Sequence, residues 1–198
     1  VAEGGRENVK AYCGPDNVQM AADIAKAIVD KHGADAGLKI VEIGGVPVQS
    51  DYIQRVDGFD TYIKENSNNE ILGLEWAFSS RADAQTIMEK FISTYGDDID
   101  ILMGFDDDLT LGGVNALQAA NMGDVEVYSI TGQKDAVQAI EDGTLTLTAF
   151  YSTKDTVAEV FTVIDDLAEG NTVEYFHYTN VPHITADNAG DYTDKLEF

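Results

Sequence analysis

Apolar residues along this chain follow two alternating periods. Short apolar runs recur at Val9–Cys13, Leu38–Ile43, Ile71–Trp76, Ile99–Met103, Val125–Ile130 and Leu145–Phe150. Runs of that length, bounded by Gly, Asn or Asp, read as strands. Between them, apolar positions recur three and four apart, the spacing of a helix face. Asp16 stands as N-cap of a helix striped by Ala21, Ile24, Ala25 and Ile28 and stopped at Gly33. Tyr52, Val56, Phe59 and Ile63 stripe a helix from Ser50 to about Lys64, and Ala84, Ile87, Met88, Phe91 and Ile92 one that begins at Ser80. Further helices are predicted from Leu109 to about Ala120, from Gln133 to Asp142, and from a Thr153 cap to Leu167. Val173–Tyr178 alternates like an edge strand, and the tail after Pro182 reads as irregular. Strands alternating with helices predict an α/β fold: a doubly wound parallel sheet with helices on both faces. It would occupy one domain over residues 9–192, with flexible ends at 1–8 and 193–198.

The stretch Val41–Phe59, VEIGGVPVQSDYIQRVDGF, combines a buried strand, a Gly44-Gly45 turn and a helix start. Arg55 and Phe59 share a helix face, and Gly58 between them permits a close approach. Arg55 falls near the C-terminal edge of the strand, where open α/β sheets bind ligands. Its guanidinium is a planar fork of donors suited to hydroxyls or a carboxylate. A second reading makes it the partner of a local carboxylate on a solvated face.

Composition narrows the function classes. The chain has 198 residues, enough for one well-buried core, with 44% hydrophobic residues and 18 glycines. Its 36 acidic and 12 basic residues give a formal net charge of -24. That balance argues against nucleic-acid partners and against adsorption to anionic lipid. It fits the surface of a secreted or salt-adapted protein. Cys13 stands alone, so no internal disulfide or cysteine metal cage forms; it reads as a small buried hydrophobe. No apolar stretch is long enough to span a membrane, and the first residues lack a signal-peptide pattern, so for an exported protein that segment would be absent from this chain.

Four segments resemble the C-terminal lobe of type I periplasmic sugar-binding proteins, the ribose- and galactose-binding kind that serve ABC transporters. Tyr12-Cys13-Gly14-Pro15-Asp16-Asn17 is similar to the family's first hinge crossing, and Gly44-Gly45 through Arg55-Val56-Asp57-Gly58-Phe59 to its glycine turn and R-x-x-G-F helix. Met103–Gly113, MGFDDDLTLGG, resembles a strand–loop–helix carrying a sugar-contacting Asn or Asp followed by Asp. His183-Ile184-Thr185-Ala186-Asp187-Asn188 with Tyr192 resembles the closing hinge. The resemblance implies a lobe that contributes half of a carbohydrate site, without cofactor or metal, outside the cytoplasm and beside an ABC permease. It implies that the N-terminal lobe is essentially absent, with only Val9–Cys13 and Ser152 to about Tyr178 belonging to it. Thr131 stands where the family commonly has a sugar-binding Asp, and Tyr151 where it often has an amide.

Sugars are gripped by planar polar groups and covered by aromatic faces. The ligand-binding set expected is Arg55, Asp106, Trp76 and Phe78 on these grounds, with Thr131, Tyr151 and Asp16 added by what the resemblance implies. Trp76 and Phe78 are the stacking candidates, one of the two belonging instead to the core and Trp76 favoured for the site because it ends a strand; Asp106 would accept opposite Arg55. Asp107 and Asp108 are expected to cap the following helix. The Asp triplet lacks the Gly and Glu spacing of a calcium loop, the Gly turn lacks GxGxxG and a Walker Lys, and no GxSxG occurs. His32, His177 and His183 are scattered and read as surface residues. Two alternatives are an effector-binding lobe of a LacI-type transcription regulator and a hydrolase or phosphotransfer enzyme using Asp106 and Asp107. The stripe Val157, Val160, Phe161 and Ile164, left without a first lobe, predicts self-association and so a homo-oligomer.

Overall fold

The computed structural model describes residues 8–78, 80–192 and 195. The expected flexible ends, apart from Asn8 and Lys195, lie outside the described residues. In order, the elements are β1 (Tyr12–Gly14), α1 (Asn17–His32), β2 (Lys39–Gly44), α2 (Ser50–Asn66), β3 (Glu70–Trp76) and α3 (Arg81–Tyr95). There follow β4 (Ile101–Gly104), α4 (Asp107–Ala119), β5 (Glu126–Thr131), α5 (Lys134–Glu141), β6 (Leu147–Phe150), α6 (Thr153–Ala168), β7 (Phe176–Tyr178) and β8 (His183–Thr185). The chain divides into two compact units. One takes the described residues up to Asp16 with Tyr151–Pro182; the other takes Asn17–Phe150 with the described residues from His183 onward.

In the larger unit a six-stranded sheet runs in the order β3-β2-β4-β5-β6-β8. The pairs from β3 to β6 are parallel, and β8 lies antiparallel on β6. The α/β, mainly parallel fold read from the periodicity is thus what forms. Two details differ. The tail after Pro182 supplies an edge strand, Ile184 being fully buried opposite Thr148. The strands read at Val9–Cys13 and Val173–Tyr178 are shorter and stand outside the main sheet. They become β1 and β7, which pair with each other in a two-stranded sheet.

Successive strand residues face opposite sides of the sheet. Ile43 and Leu102 meet α4 near Gly113, whereas Glu42 is turned to Asp60 of α2. α1 packs with α2, and α3 with α4, so the helix pairs cover opposite faces. Gly58 is where α1 and α2 cross: a Cβ there would stand 2.1 Å from the Val18 carbonyl oxygen. The core comprises enclosed aliphatic residues such as Ile40, Ile43, Leu102, Met103 and Ile130.

In the smaller unit α6 packs on β1 and buries Val163 alone among its described residues, while Val157, Phe161 and Ile164 are 46%, 61% and 51% exposed. Ser152, and not Thr153, is its N-cap, accepting from the Asp155 N–H. Cys13 is half-buried rather than enclosed; burial and Glu159 raise its thiol pKa. The three histidines are not freely exposed. His32 lies 3.0 Å from Glu126, His177 lies 2.8 Å from Glu159, and burial lowers the pKa of half-buried His183.

Candidate functional site

Five parallel strands of the larger unit end side by side, and their C-terminal ends carry most of the residues expected to bind. β3 ends at Trp76, paired in register with Gly44 at the end of β2. The indole covers Gly44 so closely that a Cβ would sit 2.5 Å from Cε3. The next glycine, Gly45, lies against the ring of Tyr52 at 2.2 Å by the same measure. Glycine at both positions lets two aromatic rings pack directly against the backbone. Trp76 is half-buried there, and its ring packs on the chain.

Phe78, two residues on, is 66% exposed and held at φ 47, with its N–H donating to the Gly45 carbonyl at 3.2 Å. A bulky residue at positive φ is an uncommon and costly conformation. Here it puts an open aromatic face beside the strand ends. Of the two rings expected to stack, Trp76, the one favoured for the site, is packed on the chain, and Phe78 is the more open.

Arg55 is not on a solvated face. Its side chain is 4% exposed; Nε donates to Asn17 Oδ1 at 3.0 Å and Nη1 to the Phe105 carbonyl at 2.8 Å. Asp51 approaches at 4.0 Å, and the guanidinium stands 5.4 Å from the centroid of the Tyr52 ring. The fork therefore spans from the start of α1 to the loop after β4, as a planar group with several donors can. The next residue in that loop is Asp106. Burial raises its carboxyl pKa, while the Asp108 N–H and the charge of Arg55 pull it down. Arg55 and Asp106 are thus electrostatic neighbours.

The roles within the Asp triplet are exchanged relative to expectation. Asp106 is the N-cap of α4, its carboxylate accepting the Asp108 N–H at 3.0 Å. Asp107 is fully buried, and Asp108 pairs outward with Arg81. Ser129 and Thr148 donate their hydroxyls to Asp107 Oδ1, and the Gln133 N–H donates to Oδ2 at 2.6 Å. Burial raises its pKa to about 6, and those donors together with Thr131 hold it from rising further. A carboxylate so enclosed cannot reach a substrate, which removes the chemistry an Asp106–Asp107 enzyme would need. Thr131 closes β5 at φ 126, half-buried. Tyr151 and Asp16 belong to the smaller unit and are half-buried within it.

Sequence reading passed over Tyr52, Asn17 and Glu42 as site or polar-core residues. Glu42 had a visible signal: a carboxylate inside the apolar run KIVEIG. A cavity of about 350 Å³ opens at the opposite edge of the sheet, near the starts of β4 and β5, lined by His32, Asp97, Asp100, Asp124 and Glu126 among others. Among the described residues no group of three acidic, His or Cys side chains is arranged to hold a metal ion.

With this geometry in view, comparison with known proteins is informative. The xylitol-binding protein of Mycolicibacterium smegmatis is 27% identical over 176 residues, covering 88% of this chain and 49% of that protein. A ribose import binding protein of Bacillus subtilis is 28% identical over 174 residues, covering 87% of this chain and 54% of the relative. The chain spans about half the length of these curated relatives. Among solved structures, a solute-binding protein of an ABC transporter from Agrobacterium vitis with bound D-fucose superposes on all of the chain with a TM-score of 0.88. It is 24% identical, and the superposition covers 68% of it. A galactofuranose-binding protein superposes with a TM-score of 0.83 at 22% identity. At such identities these structures establish the fold. The periplasmic binding protein domain matches residues 2–172. The chain belongs to the periplasmic binding protein domain family.

Proposed function

We propose that this chain is the ligand-binding lobe of a carbohydrate receptor serving an ABC importer. The observation that carries the reading is the row at the strand ends. Arg55 is buried beside Asp106, and the open ring of Phe78 and the ring of Trp76, packed on Gly44, stand at the neighbouring strand end. Polar groups fixed at the rim with aromatic surface beside them suit a ring with hydroxyls on its edge and C–H on its face. Relatives named for xylitol and ribose binding support the same class of ligand and favour a receptor over a transcription regulator. The role is binding and not catalysis, and it places the protein outside the cytoplasm beside a permease. Thr131, Tyr151 and Asp16 complete the proposed set, with Thr131 replacing a charged acceptor by a hydroxyl.

Receptors that enclose a ligand do so between two lobes, and a second lobe closing over this edge would supply further contacts. One lobe supplies part of the hydrogen bonds, and each one missing weakens binding by about 0.5–1.5 kcal/mol. The chain by itself is therefore expected to bind sugars weakly. Titrating it with D-ribose, D-fructose and xylitol should shift the amide NMR signals of Trp76, Phe78 and Thr131 at millimolar ligand. Shifts that cluster on another face, or none with any of the three, would overturn the assignment. Calorimetry showing sub-micromolar affinity would overturn the need for a second lobe.

A further inference from the structure

Asp107 sits where four elements meet under the candidate edge, and nothing in the ligand set uses it. It opens α4 and reaches Ser129 of β5, Thr148 of β6 and the N–H of Gln133, which caps α5. Those residues surround it without a charge; its acidic neighbours on α4 are occupied elsewhere, Asp106 by the Asp108 N–H and Asp108 by Arg81. The turn it holds includes Thr131 at φ 126 and Gly132, whose N–H donates to the Thr148 hydroxyl at 3.2 Å. A threonine at that φ is strained and needs its surroundings to keep it there.

We propose that Asp107 is a positioning residue for the carbohydrate edge: its ionised carboxylate ties the β5–α5 turn bearing Thr131 to the α4 start bearing Asp106, and uptake of one proton slackens that tie. This rests on the carbohydrate reading of the edge. The hydroxyls show how the proton is accommodated. Ser129 has one hydrogen, given to Asp107; Thr110 has one, given to the Asp106 carbonyl at 2.8 Å, yet the two oxygens also lie 2.8 Å apart. When Asp107 takes a proton on Oδ1, that proton can be donated to Ser129, whose own hydrogen turns to Thr110. Every group stays satisfied, and Oδ2 still accepts from Gln133, but as a neutral carbonyl. Charge-assisted hydrogen bonds are about twice as strong as neutral ones, so the turn is held less firmly. The burial that raises the Asp107 pKa to about 6 places this change near neutrality.

Asp107→Asn tests it, because the amide keeps an oxygen for Ser129 and Thr148 but turns an NH₂ toward the Gln133 N–H. Three readouts are taken on the chain itself: Gln133 amide exchange, the ¹³C titration of the Asp107 carboxyl, and xylitol-induced shifts at Thr131. The expected results are a midpoint near 6, a Gln133 exchange rate raised about tenfold in the variant, as for a loss of about 1.4 kcal/mol, and xylitol shifts that shrink below pH 6 in the natural chain alone. Unchanged exchange, or a variant whose xylitol shifts keep the natural size and pH profile, overturns the proposal while leaving the carbohydrate reading in place. No xylitol shift in either protein, with ribose and fructose equally silent, overturns the carbohydrate reading and the role assigned to Asp107 with it. If Asp107→Asn does not fold, Ser129→Ala removes one donor to Oδ1. The Asp107 midpoint must then rise, and an unmoved midpoint rejects the tie.

Discussion

Glu42 shows how much a single side chain can cost in the middle of a sheet. It is fully buried, and among the described residues both carboxylate oxygens lack a donor, as does Oδ1 of Asp60 beside it. Burial first, then the charge of Asp60, push its pKa well above the ordinary range, while Lys64 opposes this. Two carboxyl groups in contact are satisfied when one holds a proton and donates it to the other. A raised folded-state pKa means that the contribution is fully present below the unfolded value of about 4.5 and is lost as pH rises through the folded one. Glu42→Gln keeps a donor toward Asp60 with no charge to bury. Its melting temperature relative to the natural chain should therefore climb steadily from pH 4 to pH 8, and a difference that stays flat with pH would reject the shared proton. Arg55 gives a second test. Arg55→Ala should lose about 1.5–3 kcal/mol in urea unfolding, because Asn17 and the Phe105 carbonyl lose a charged donor. Arg55→Lys should recover little, since one ammonium cannot span both acceptors.

Among the elements, the α1–α2 crossing is the least tolerant. The obstacle at Gly58 is a backbone oxygen, which cannot swing aside as a side-chain tip would. Gly58→Ala gains about 1 kcal/mol of helix propensity yet should be destabilised overall by about 1–3 kcal/mol through overpacking. Equal or higher stability in urea would show that the helices part freely. Elements of this kind were legible in the sequence because their apolar period runs over many residues; the Gly58 contact followed from a small residue between Arg55 and Phe59. β8 was not legible: His183–Thr185 is too short to show alternation, and its partner β6 lies far away in sequence. The Asp triplet was misread for a different reason. Three identical residues carry no local mark of which one caps and which one is buried, and that choice is made by Ser129, Gln133 and Thr148 from other elements.

For the whole molecule, a formal charge of -24 sets the response to salt. Self-repulsion among exposed carboxylates opposes the compact state, and screening shortens its range from about 10 Å at 0.1 M to about 3 Å at 1 M. Melting temperature should rise across that range of NaCl, and an unchanged value would mean that the acidic surface is energetically neutral. The same screening should promote association through the apolar stripe of α6, at about 25 cal/mol per Å² buried. Light scattering should detect it at high concentration and high salt, and a clean monomer there would count against it.

The antiparallel strand β8 also bears on how the protein is made. The chain leaves the larger unit at Tyr151, builds part of the smaller one, and returns at His183 to complete the sheet. During synthesis the outer edge of β6 therefore stays unpaired until that excursion has emerged and His183–Thr185 has followed. An open strand edge on a nascent chain is a template for the wrong neighbour, including another copy emerging nearby. The last hydrogen bonds of this sheet wait on the last part of the chain, and a slow or interrupted passage through Tyr151–Pro182 would lengthen the time in which misassembly competes with folding.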